Sequence, residues 1–169
     1  NERLRRSCVE MLKLLPDYFY KVEASSSGKY HPAFALGEGG LVRHTKVAAQ
    51  IANEIISTES VGNVFTSDEK DLIIISLLLH DGLKKGLVEE RYTRFDHPVL
   101  MGDYILENID KTEFTNAEAK MLSDNIKITH RLHNAEKMTS KHINISSISH
   151  QKSKLWFSGI MLVLYIILF

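Results

Sequence analysis

Residues 72–79 read Leu-Ile-Ile-Ile-Ser-Leu-Leu-Leu, and His80 and Asp81 follow directly. Thr66 and Glu69 stand at capping-box spacing ahead of this run, so it predicts a helix over 66–81 rather than a strand. A helix that is apolar all round must be buried all round. It therefore belongs at the centre of a bundle, and Gly82 suits its end. Asp81 is then awkwardly placed. A carboxylate at a helix C-terminus faces the negative end of the macrodipole, at a cost of roughly 0.3–1 kcal/mol. Desolvation behind an apolar helix costs more, unless a cation pairs with it.

The rest of the chain supplies helices to surround that run. Residues 2–15 carry Leu4, Cys8, Met11, Leu12 and Leu15 on one stripe, which Pro16 ends. Residues 41–57 place Leu41, His44, Ala48, Ile51 and Ile55 on one face. Pro98 suits the first turn of a helix reaching about Asn108, with Asp96 or His97 near its cap. Thr115 and Glu118 repeat the capping-box spacing and open a helix to about His133. On it Ala119, Leu122, Ile126, His130 and His133 share a face. Residues 16–40 hold Pro16, Pro32, Gly28, Gly37, Gly39 and Gly40 behind Ser25-Ser26-Ser27, which reads as a long loop of the functional kind.

The expected fold class is all-α. The expected division is a helical domain over 1–136, a polar connecting segment over 137–154 and an apolar C-terminal segment over 155–169. That last segment has no charged residue. As a helix it would span about 22 Å, short of the ~30 Å hydrocarbon core. Burial is its expected fate, with membrane contact the alternative. Lys plus Arg number 21 and Asp plus Glu 21, so no bulk positive field draws in nucleic acid. Cys8 is the single cysteine, and no apolar leader follows Asn1-Glu2-Arg3-Leu4-Arg5-Arg6. Both features point to a reducing, cytoplasmic setting.

The histidines carry the chemistry. His44 falls in an apolar stripe, His80 ends the most apolar run, and His130 lies on the apolar face of its helix. Taken singly, each has an ordinary explanation as a core histidine bonded to a carbonyl. Asp81 changes the balance, because a desolvated carboxylate beside imidazoles wants a cation. Neutral imidazoles with a carboxylate suit Mn, Fe, Zn, Ni or Co. Helices of a bundle can bring His44, His80, Asp81 and His130 together.

The segment Gly39-Gly40-Leu41-Val42-Arg43-His44-Thr45, followed by His80-Asp81-Gly82-Leu83-Lys84, resembles the HD-domain superfamily of metal-dependent phosphohydrolases. Ser25-Ser26-Ser27-Gly28-Lys29-Tyr30-His31-Pro32 and Phe95-Asp96-His97-Pro98 resemble a bacterial and phage branch of it. The resemblance covers about residues 16–133. It implies an HD-type bundle that hydrolyses a phosphate ester, of a nucleotide or a nucleic-acid end, with one or two divalent ions (Mn, Fe, Ni, Co, Zn or Mg). His44, His80 and Asp81 would hold the first ion; His97 and His130 would match the histidines of a second. The ion would acidify a bound water and polarise the phosphoryl oxygen. Asp81 and Lys84 are the expected catalytic residues, with Lys84 meeting phosphate as a point cation. A solvated surface lysine is the ordinary alternative for Lys84. Lys29 and His31 are expected to touch substrate, while His133 fits packing or support of a ligand.

One element of the family pattern is missing. HD enzymes complete the first metal site with an aspartate on a later helix, yet no aspartate follows Asp124, and Asp124 precedes His130. From about Asn134 the resemblance ends, as expected of a C-terminal part altered by a changed frame or an early end. The alternative function is therefore a non-catalytic module that binds metal or a phosphorylated ligand.

Overall fold

The computed structural model of the protein describes residues 1–25 and 32–139, with side chains described as far as residue 128. The expectations for Lys29, His31 and residues 140–169, and for the side chains of His130 and His133, lie outside the described residues.

Among the described residues six α-helices are formed: α1 (Glu2–Lys13), α2 (Gly40–Ser57), α3 (Glu59–Gly62), α4 (Ser67–Leu79), α5 (His97–Glu107) and α6 (Asn116–Thr139). Among the described residues there is no strand, so the all-α class stands. Helix starts follow local chemistry. Asn1 accepts the N–H groups of Arg3 and Leu4. Thr66 and Glu69 form the full capping box on α4, and Thr115 and Glu118 form the same reciprocal pair ahead of α6. Pro98 sits in the first turn of α5, where a missing N–H costs nothing.

The apolar α4 is explained by its position between two clusters. Leu72, Ile75 and Leu79 pack with Leu4, Met11, Phe19, Leu41, Met101, Ile105, Leu122 and Ile126. Ile73 and Leu77 face the other way, onto Ala48, Ala52 and Ile56 of α2. Burying each such Leu or Ile contributes about 1.5–3 kcal/mol. The small residues on α2 let the two helices approach closely, while α6 covers α4 from another side and packs against α5. Gly102 of α5 lies close to α6, where an added Cβ would stand 3.0 Å from Ser123 O.

Three departures from the expected elements have local causes. The helix predicted over 66–81 ends at Leu79, with His80 as its cap and Asp81 in the turn beyond. Residues 16–40 are not wholly irregular: Asp17–Tyr20 and Ala33–Ala35 each form a 3-10 turn, both opened by a proline. The last helix continues past His133 to Thr139, since nothing in that stretch breaks it.

The start of α2 is fixed by contact. Gly39 N–H donates to Lys21 O and Leu41 N–H to Val22 O. Arg43 gathers the preceding loop by donating to Phe34 O, Leu36 O and Glu38 O. Gly40 lies so close to the turn at Ala35 that an added Cβ would stand 2.1 Å from its carbonyl oxygen. Gly40→Ala is therefore expected to cost on the order of 1–3 kcal/mol, the range for forced overpacking. Urea unfolding checks this, and an unchanged midpoint would contradict it.

Candidate metal centre

α2 delivers His44 one turn into the helix, on the face that meets α4. α4 delivers His80 as its cap, and the next residue is Asp81. Gly82 keeps that turn against the core: a Cβ there would stand 2.8 Å from both Leu15 Cδ2 and Met101 Sδ. Beyond it, Lys84 N–H donates to Asp81 O, closing a helical turn that puts the two side chains on one side. Tyr18 then anchors the chain, since its hydroxyl donates to Gly86 O and accepts from Lys85 N–H. Burial, foremost, pushes that phenol up to about 12, so it stays a donor. Arg94 N–H closes the following loop onto Lys84 O at 2.9 Å, which returns the chain to His97 at the start of α5.

Asp81 is fully buried at the centre of these residues. Its Oδ2 accepts from Lys84 Nζ at 2.6 Å. The same oxygen lies 3.6 Å from His80 Nε2 and 3.7 Å from His44 Nε2. Its Oδ1 lies 2.9 Å from His97 Nε2 but receives no hydrogen bond of good geometry. The two rings of His44 and His80 stand 5.7 Å apart by their centroids.

The direction of the histidine nitrogens is what makes the cluster unusual. His80 Nδ1 is 2.6 Å from Leu77 O. A carbonyl only accepts, so Nδ1 carries the hydrogen there. In the neutral ring Nε2 is then a lone pair, and it points at a carboxylate oxygen. His97 repeats the arrangement, with its Nδ1 against Arg94 O and its Nε2 against Asp81 Oδ1. Two acceptors facing each other repel unless a proton or a metal ion lies between them. Backbone carbonyls holding the far nitrogen are also the usual way a ligating histidine is oriented.

Burial favours neutral His80: desolvation, partly opposed by the Asp81 charge and the Leu77 carbonyl, holds its pKa below the ordinary 6.5. For Asp81, burial pushes upward, but Lys84, His80 and His97 together outweigh it and hold the carboxyl well below the usual range. The carboxylate is thus ionised and the imidazole neutral, the forms that ligate a metal. One donor atom each from His44, His80 and Asp81 lies within 4.8 Å of the others, so this group can hold a metal ion. The residues fit such an ion by position, protonation and donor type.

His97 joins the Asp81 carboxylate but is not within the compact ligand group. His130 lies on α6, and its backbone is all that is described. Lys84 is not a solvated surface lysine: it is buried and paired. Sequence reasoning missed the residues that orient the site. Leu77 and Arg94 act through carbonyls, which no side-chain pattern reveals. Arg94 is itself held by Glu90 and by both oxygens of Asp96. Tyr18 sits far away in sequence, and its role depends on the fold.

The described part of the chain is thus an all-α domain with a buried His-His-Asp cluster able to hold a metal. No protein-family model, curated protein or solved structure matches the chain. No helix among the described residues is long and apolar enough to cross a membrane.

The depressed His80 pKa fixes a sign. Unfolded His80 takes up its proton near pH 6.5, whereas the folded ring resists it. Its contribution to stability is therefore full above that pH and is lost as pH falls below it. Asp81, depressed from 3.8, loses its contribution only in the separate window below that value. Metal-free protein should melt progressively lower from about pH 7 to pH 5, with a shallower fall for His80→Gln. Parallel profiles for the two proteins would contradict the assignment.

Proposed function

We propose that the protein is a metal-dependent phosphohydrolase of the HD type, acting on a small phosphate ester such as a nucleotide or a nucleic-acid end. The observation that carries this reading is the lone-pair face of His80 turned onto a buried, ionised Asp81. It is supported by the order of His44, His80-Asp81, His97 and His130 along the chain. His44, His80 and Asp81 would hold a divalent ion of the Mn, Fe, Ni, Co, Zn or Mg group, with His97 and His130 available to a second. Such an ion supplies Lewis acidity toward a phosphoryl oxygen and makes a nearby water more acidic.

The chain's own residues do the rest. Leu77 O and Arg94 O fix the ring orientations, so the ligand face is organised before anything binds. Burial around Asp81 keeps water from screening its charge. Lys84 adds a cation beside the site that can face a phosphate oxygen.

One observation favours a second reading. No aspartate follows Asp124 within residues 125–169, so these residues offer no match for the last ligand of the HD pattern. A non-catalytic module would bind metal or a phosphorylated ligand through the same cluster and turn nothing over.

Elemental analysis of purified protein, paired with a metal-supplemented phosphatase and phosphodiesterase panel, tests both. The enzyme reading expects bound divalent metal and phosphate release, each lost in His80→Ala and Asp81→Ala by about 100-fold or more. Metal without turnover would select the binding module. Metal-free protein with no hydrolysis across the panel would overturn both.

A further inference from the structure

Lys84, paired with Asp81, cannot be a metal ligand while it carries its proton. Its ammonium nevertheless holds the carboxylate oxygen that lies nearest both His44 and His80. Lys84 Nζ is 2.6 Å from Asp81 Oδ2, and the two side chains are only 7% and 1% exposed. The same Oδ2 is the oxygen approached by His44 Nε2 and His80 Nε2. An ion held between those two nitrogens and Oδ2 would share that oxygen with an ammonium, inside a space where charges are weakly screened.

We propose that Lys84 is a resident counter-cation: it neutralises Asp81 in the metal-free protein and must leave Oδ2 when a divalent ion enters, so that it sets the metal affinity of the site. This rests on the reading that the cluster holds metal. The physical logic has two sides. Without a metal, an unpaired buried carboxylate would cost the fold heavily, and Lys84 removes that cost. With a metal, the same ion pair is a competing state, and apparent affinity falls by the fraction of protein whose Oδ2 is available. The long, flexible lysine stem allows the exchange without moving the backbone turn between Asp81 and Lys84. An arginine, with its rigid fork, would suit that exchange less well.

The test measures binding rather than turnover. Mn²⁺ and Zn²⁺ are titrated calorimetrically into chelator-stripped wild type, Lys84→Met and Lys84→Gln. Both variants should bind about tenfold or more tightly than wild type, because the competing state is gone. Equal or weaker binding by the variants would overturn the proposal while leaving the metal site intact. Absence of binding in every protein would overturn the metal site as well.

A second measurement needs no variant and separates displacement from a mere change of nearby charge. In ¹⁵N-lysine-labelled wild type, the buried Lys84 ammonium should give a signal slow to exchange with water. Saturating Zn²⁺ should abolish or strongly shift it. An unchanged Lys84 signal in protein that has bound zinc would rule the exchange out.

Discussion

A carboxylate with no access to water stands just beyond the apolar helix α4, and the surrounding structure is arranged to tolerate it. Asp81 is fully buried. An ionised group in that position costs several kcal/mol unless it is paired and hydrogen-bonded. The response is visible in three separate parts of the chain. Lys84 supplies the charge from the next turn. His44 arrives on α2 and His97 at the start of α5. Each arrival requires its own support: Gly40 and Arg43 for α2, Tyr18 and Arg94 for the loop that leads to α5.

Replacing a buried ion pair with apolar side chains is often neutral or stabilising. A neutral His80 lone pair beside that buried carboxylate adds repulsion that a core built only for stability would avoid. Departures of this kind from local consistency are characteristic of functional sites. The physical case for a cation at Asp81 therefore comes from the geometry itself, and it stands apart from any likeness in sequence. The family reading adds the chemistry such a cation would serve.

Much of this was legible in the sequence because it rests on short-range chemistry. The capping boxes at Thr66 and Thr115, the proline opening α5 and the all-round apolar run of α4 each act within a few residues. They suffice to place His44 on α2, His80 at the end of α4 and His97 at the start of α5, in that order. The Asp81 argument also held, in stronger form: the carboxylate is wholly buried rather than partly so. What escaped was set by tertiary contact. A carbonyl has no signature, so Leu77 O and Arg94 O could not be read. Whether Lys84 faced water or Asp81 depended on how the loop beyond it folded back through Arg94. His97, expected with His130 at a second ion, lies 2.9 Å from Asp81 Oδ1.

The central claim is that Asp81 and its cation form one energetic unit in the core. A double-mutant cycle on metal-free protein measures that unit directly, using Asp81→Asn, Lys84→Met and the combined variant in denaturant unfolding. Each single change should cost about 3–5 kcal/mol, because each strands a buried polar partner. The combined variant should fall short of the sum by more than about 2 kcal/mol. Additive losses would contradict the claim and show that the two charges are accommodated independently.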